Sequence, residues 1–479
     1  MIRLILEAVK EWVEELLNGF VKKGNAEDSK SITGRYNVLD YGLKGDGTTD
    51  NTVALQNMIN SVPAGAVIFF PAGVYNISDT IEAPKSVSLV GESYDTQRMI
   101  GSNTRVPDSQ ISYVGNKSDI TLFRHLNQVR FYARGLAFFG NSYTIKDNSE
   151  TFTTLPYHRF TDEILESREN INCIDYVEGG VVVKDCMFNG FSGYGLKIGQ
   201  HNYVKNCGFY KCNVGVIQDK FDSLIENCWF SKCSNAIVCD DPDHSFTNLS
   251  VNDCWGDQII EHFIKVKCTS TASCMLLVND AWVDMIDGSA IYVEGTLNKA
   301  QINGRFSRCG MMYAGITAND RTNSVKPFAD VICANAIKDS NINIIAHKRS
   351  IGSGGNANGV CPSRVVSALT NSIEYCSVHS IDSYMSDIMD NVEQVLNTKV
   401  YGKDNDAVEH KGGTFDISHI IYRTGTPIGA VKAPKRNTLC IDTTSKSIYI
   451  ATAADNNTSW ELIDSTDPTD IDFSDIEGV

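Results

Sequence analysis

The pattern of apolar and polar positions is most regular in the middle of the chain, where VVVKDCMF (residues 181 to 188), NYVKNCGF (202 to 209) and SLIENCWF (223 to 230) align without gaps. Cys186, Cys207 and Cys228 recur at a step of 21 residues. So do Phe188, Phe209 and Phe230, the polar set Asp185, Asn206 and Asn227, and the pair Cys212 and Cys233. Short β-branched segments between polar turns cannot bury an apolar face alone and must stack coil upon coil. In-register stacking brings equivalent residues to about 4.8 Å from each other. The step lengthens to 26 residues between Cys228 and Cys254, in the run Val251-Asn252-Asp253-Cys254, and the excess belongs in a loop. Ala290 to Val293, Ala300 to Phe306, Ile342 to Ala346 and Ile373 to Val378 read as further strands without the strict repeat, so the solenoid is expected to run to about residue 390.

Upstream, Ala66 to Phe70, Val74 to Ile77 and Ser86 to Val90 read as strands around the turn Pro71-Ala72-Gly73. Ala54, Leu55, Met58, Ile59 and Val62 make the apolar face of a short preceding helix, with Thr49 or Asp50 as its cap and Asp46-Gly47 as a tight turn. At the start of the chain Ile2, Leu6, Val9, Val13, Leu16 and Phe20 alternate spacings of 4 and 3, a heptad seam that predicts a short coiled coil. The competing reading is an amphipathic helix packed on its own domain. Residues 24 to 34 form a polar linker, and residues 140 to 172 and 350 to 359 break the rhythm as loops, where recognition commonly sits. From about residue 402 the composition changes, and residues 437 to 463 alternate like hairpins, which predicts a small separate β module. Residues 464 to 479 hold five Asp, one Glu and no basic residue, as in an acidic tail.

The run D-Y-G-x-K-G-D-G-x-T-D-x-T-x-A-L-Q at residues 40 to 56, followed by F-P-x-G-x-Y at 70 to 75, resembles the pectate-lyase superfamily in the form common at the start of bacteriophage tailspikes and tail fibres. The resemblance implies a right-handed parallel β-helix, an all-β solenoid, between a short N-terminal α-helical coiled coil and a C-terminal β module. The expected division is 1–32 for helix and linker, 33–400 for the β-helix, 401–463 for the C-terminal module and 464–479 for the tail. Because proteins of this kind are typically trimers, the resemblance turns the heptad seam into a three-stranded bundle at the end that docks on other tail or baseplate proteins. It implies a virion tail appendage, made in the host cytoplasm, that binds a host cell-wall or capsular glycan. Cleavage of that glycan is a second function. A purely structural or adhesive tail protein, and a secreted pectinase, are the competing readings.

Charge and cysteine content narrow the partners. The chain of 479 residues carries a formal charge of −16, which argues against a nucleic-acid partner, and an anionic glycan would need a local basic pocket or a bridging cation. No apolar run reaches a membrane span, so no membrane insertion is expected. Glu7, Lys10, Glu11, Glu14 and Glu15 break the apolar stretch that an export signal requires. Fifteen cysteines, an odd number, fit free thiols in a reducing cytosol. Cys207-x4-Cys212 and Cys228-x4-Cys233 could be offered as zinc ligands. A buried cysteine ladder explains the accompanying Phe and Asn repeat as well, and no metal or cofactor is expected. The Asp185, Asn206, Asn227 and Asp253 row reads as a polar ladder at a turn.

The candidate chemistry lies in carboxylates. Asp219 and Asp240 are 21 residues apart, as are Asp222 and Asp243, so a D-x-x-D pattern (DKFD, then DDPD) would stack two pairs of acids on adjacent coils. Glycoside hydrolysis needs one protonated carboxyl to assist the leaving oxygen and one ionised carboxylate as nucleophile or base, and crowded acids supply such a split. Asp240 or Asp219 is the expected general acid, Asp243 or Asp222 its partner, with His244 tuning them and Asp241 nearby. The bland alternative is that these aspartates cap turns. Asp240-Asp241 matches the D-D of polygalacturonases, but their N-T-D, G-H-G and R-I-K motifs are missing, as is the acidic calcium cluster with its arginine that pectate lyases use. Tyr143, Tyr157, Trp255 and Trp282 could stack on sugar rings or pack in the core.

Overall fold

The computed structural model describes residues 34–463 except 93–107, 126–128, 148–159, 165–167, 177–178, 221, 241–247, 270–271, 287, 310–330, 348–365, 369–371, 381–393, 397, 402–406, 411–419, 431–438, 443, 446 and 452–457. The heptad seam, Tyr157, Asp241, Asp243, His244 and the acidic tail therefore lie outside the described residues.

The chain forms a right-handed parallel β-helix with three strands to a coil. One coil runs Ser223–Glu226, Trp229–Ser231 and Asn235–Asp240, and each strand pairs in parallel with its equivalent in the coils before and after. These define a first, a second and a third sheet, in that order around the coil. The first sheet starts at Arg35–Asn37 and reaches Thr398–Tyr401. From Ser273–Ile286 onward the first and second sheets share single long strands, which is why the 21-residue signature fades there although the coils continue.

Three columns explain the repeat. Inside, Phe138, Phe188, Phe209 and Phe230 stack with centroids 5.2, 4.8 and 4.9 Å apart. Burying each such ring contributes about 1.5–3 kcal/mol. The column needs the glycines of the third sheet beside it, since a Cβ on Gly195 would sit 3.0 Å from the Phe209 ring and one on Gly215 2.8 Å from Phe230. The cysteines are buried free thiols that donate to backbone carbonyls, as Cys207 does to Val183 at 3.6 Å and Cys254 to Ile225 at 3.6 Å. Between first and second sheets the corner is a single left-handed residue, Asp185, Asn206, Asn227 or Asp253, with φ of 53°, 53°, 49° and 51°. Asn206 donates to Asp185 at 3.0 Å and Asn227 to Asn206 at 2.8 Å. Asn and Asp tolerate this conformation better than other side chains, and the ladder satisfies them.

The turn at Asp46-Gly47 is present within an irregular strand, Asp46–Asp50: Gly47 has φ of 70°, and Asp46 accepts from the amides of Thr48 and Thr49 at 2.9 and 2.7 Å. The helix then runs Thr52–Ser61, with the Asp50 carboxylate accepting from the Thr52 amide at 3.0 Å. Residues 140 to 172 contain a hairpin, Tyr143–Asp147 against Phe160–Ile164, and re-enter the third sheet at Ile171–Tyr176. The C-terminal module has Ile420–Arg423 parallel to Leu439–Asp442, followed by antiparallel Ile448–Ala451 and Trp460–Ile463, around Cys440, Ala451 and Trp460.

Candidate functional site

The third sheet carries the aspartates to one corner. In its strands Val214–Gln218 and Asn235–Asp240, inward residues such as Val216 and Ile237 fill the core, and Gln218 pairs with Cys239. One residue further along, Asp219 and Asp240 leave the two strands on adjacent coils. The sequence step of 21 is thus a true stacking step here.

Asp219 is half-buried, with Lys197 Nζ at 3.5 Å. Burial pushes its carboxyl pKa up, Lys197 pulls it back, and the charges of Asp175 and Asp240 push it up again. Asp240 pairs in register with Lys267, whose Nζ lies 3.1 Å from Oδ2. Each acid thus faces an ammonium group, and of the two Asp219 is the one whose carboxyl burial pushes toward its protonated form.

Asp222 differs. Its φ is +61°, its Oδ1 accepts from Asn248 Nδ2 at 2.9 Å, and its Oδ2 lies 3.6 Å from His201 Nε2. The register Ser223 with Leu249 brings Asn248, not Asp243, level with Asp222. The residue level with Asp222 is thus 26 positions on, not the 21 that the spacing predicts, and the expected partner Asp243 lies outside the described residues. Asp222 serves the turn. Asp243 and His244 lie outside the described residues.

A long open groove follows this corner on the side of the earlier coils. Its volume is about 830 Å³, and its wall is built from the starts of first-sheet strands in six successive coils, from Gly65 to Lys220. The basic side chains lining it are Arg130, His201 and Lys220, and among the described lining residues there is no carboxylate. Lys220 belongs to the Asp219–Asp222 turn, so the groove ends at the candidate acids. Sequence reasoning missed the groove, because its wall takes one to four unremarkable residues from each coil.

Of the aromatic candidates, Tyr143 is buried at 5% exposure, in line with the packed alternative of its two readings. Trp255 and Trp282 are 42% and 52% exposed on the outer face of the second sheet, paired in register with ring centroids 5.6 Å apart. They lie on a different sheet from the groove. Among the described residues no group of His, Cys, Asp and Glu could hold a metal ion.

Residues 35–238 match the family model described as rhamnogalacturonase A/epimerase, pectate lyase-like. This match bears out the resemblance drawn from residues 40 to 75 and covers less than half of the chain. A probable glucan endo-1,3-beta-glucosidase of Arthroderma benhamiae is 31% identical over 90 residues, 18% of this chain and 10% of that protein. The chain thus spans about a tenth of the length of that curated relative. Among solved structures, the pre-mature gene product 12 of bacteriophage phi29 is similar at a TM-score of 0.43 and 12% identity, over 88% of this chain and 62% of that one. The catalytic unit of the GH87 alpha-1,3-glucanase of Streptomyces thermodiastaticus strain HF3-3 is similar at 0.46 and 12% identity, over 77% and 62%.

Proposed function

We propose that this pectate-lyase-like parallel β-helix is a bacteriophage tail appendage that binds an anionic glycan of the host cell surface along the groove from Gly65 to Lys220. The observation that carries the reading is the charge of the groove. A chain of net charge −16 presents Arg130, His201 and Lys220 along a wall of six coils, with no carboxylate among the described lining residues. Charged sugars need such a local reversal of sign, and an open trough suits a polymer better than a small molecule.

At the end of the groove the same glycan would meet Asp219 and Asp240. Asp219, whose pKa burial raises, is the general acid of this proposal, and Asp240 on the adjacent coil is its partner. Asp243 and His244 remain proposed members of the acid group, while Asp222 is assigned to the turn. A receptor-binding appendage without cleavage is the second reading, and the Lys267 contact favours it, since Asp240 already has a structural partner. The domain division given above, a homotrimer and attachment through the N-terminal helix belong to the same proposal.

The test incubates the full chain with envelope polysaccharides and teichoic acids of candidate hosts and measures both retention and fragment length. Arg130→Ala with Lys220→Ala should weaken retention of anionic glycans at least tenfold, on the scale of about 1.5–3 kcal/mol for hydrogen bonds to charged groups. Fragments that vanish in Asp219→Asn and Asp240→Asn would establish cleavage. Retention without fragments selects the adhesive reading, and retention indifferent to the double variant sinks the groove.

A further inference from the structure

Cys268 and Cys274 stand apart from the cysteine columns. They flank the corner between His262–Lys267 of the third sheet and Ser273–Ile286, and their sulfurs lie 3.3 Å apart. Backbone bonds hold the corner on both sides, Ala272 N–H to Thr269 at 2.9 Å and Thr296 N–H to Ala272 at 2.8 Å. Gly295 makes room for the sulfur, since a Cβ there would fall 2.6 Å from Cys268 Sγ. Burial pushes the thiols of the internal ladder up, as at Cys207, Cys228 and Cys254. At Cys268 the hydrogen bond with Cys274 outweighs burial and pulls the thiol below its ordinary value. Cys268 keeps 8% exposure beside the exposed Thr269, whereas Cys274 keeps 1%. Both thiols are buried, and Cys268 is the less enclosed, so it is the one placed to attack first and Cys274 the one placed to resolve.

We propose that Cys268 and Cys274 form a redox-responsive dithiol that closes to a disulfide when the chain leaves a reducing compartment and meets a small disulfide such as oxidised glutathione. The Cys268 thiolate attacks one glutathione sulfur and expels a glutathione thiolate. Cys274 gives its proton to solvent, attacks the Cys268 sulfur and expels the second glutathione. Two thiols are oxidised and one glutathione disulfide is reduced to two glutathiones. Closure requires the sulfurs to approach by only about 1.2 Å, to a bond of about 2.05 Å. The bond would clip the corner directly after Lys267, the residue that faces Asp240.

The test exposes the folded full chain to oxidised glutathione at mildly alkaline pH, alkylates remaining thiols after denaturation and digests with trypsin. The peptide from Cys268 to Lys299 contains these two cysteines and no other. It should appear about 2 Da lighter and unalkylated, at least tenfold sooner than Asn206 to Lys211, which carries Cys207 of the ladder, is oxidised. Cys274→Ala should trap glutathione on Cys268. Both thiols alkylated, a lasting glutathione adduct in the unmutated chain, or ladder cysteines oxidised at the same rate would each overturn the proposal.

Discussion

Replacing Phe209 by Ala should open one stretch of the solenoid and leave the rest closed. The ring is fully buried and lies between Phe188 at 4.8 Å and Phe230 at 4.9 Å. Removing a buried Phe costs about 3–5 kcal/mol, and each stacked ring pair about 0.5–1.5 kcal/mol beyond area burial. Gly195 and Gly215 have no side chain with which to fill the space, and the backbone around the column is fixed by parallel pairing on both sides. The loss should therefore lie near the upper end, about 5 kcal/mol. Because a coil touches chiefly the coils before and after it, the loss falls on local opening rather than equally on the whole chain. Hydrogen exchange read by mass spectrometry is the assay. A local loss of about 5 kcal/mol lowers protection by between three and four orders of magnitude, roughly 5,000-fold, and this should appear in peptides covering residues 181 to 240. Peptides covering residues 66 to 91 should keep their protection. An equal loss at both places, or a loss below tenfold around Phe209, would refute the nearest-neighbour account.

At the single-residue corner, Asn206→Ala should cost about 2–3 kcal/mol, from a left-handed backbone and a broken ladder, while Asn206→Gly should cost about 1 kcal/mol, from the ladder alone; urea midpoints of the two variants measure the difference. Asp219 has a folded pKa raised above the ordinary 3.8, so it favours the fold when protonated, and that contribution is lost as pH rises through its folded pKa. Thermal unfolding from pH 3 to 7 should show the wild type losing stability relative to Asp219→Asn across this window, and a relative gain would contradict the burial argument. Trp255→Ala and Trp282→Ala should leave groove retention unchanged, since both rings lie on the second sheet, whereas a loss as large as that of the Arg130 and Lys220 double variant would relocate the binding surface.

The stack was legible because Cys, Phe and Asn each occupy a place where one residue type solves one problem: a small buried thiol, a ring that stacks on its own kind, a side chain that accepts a left-handed turn. Such a code repeats as long as the coil length does. It fails at Asp222, where the pairing register leads to Asn248, a step of 26, so a spacing of 21 no longer measures height in the stack. Asp219 and Asp240 escaped the error because both precede that excess. The hairpin that pairs Tyr143 with Ile164 had no local signal, since its two strands are separated by residues that carry no repeat. The groove had none either, being a property of six coils that share no residue type along it. Cys268 and Cys274 fell outside the repeat, and counting by 21 passes over them.

The two kinds of corner divide the molecule into a part that must stay constant and a part open to revision. Where a single left-handed residue turns the chain between first and second sheets, an inserted residue would throw every later rung of the Asn ladder out of line. The corner after the third sheet already absorbs coils of different length without disturbing Phe230 or Cys254. A lineage carrying this scaffold can therefore lengthen, shorten or exchange segments along one edge, beside the groove, while the opposite edge keeps the gauge. New recognition could be acquired there one loop at a time, with folding left intact at each step.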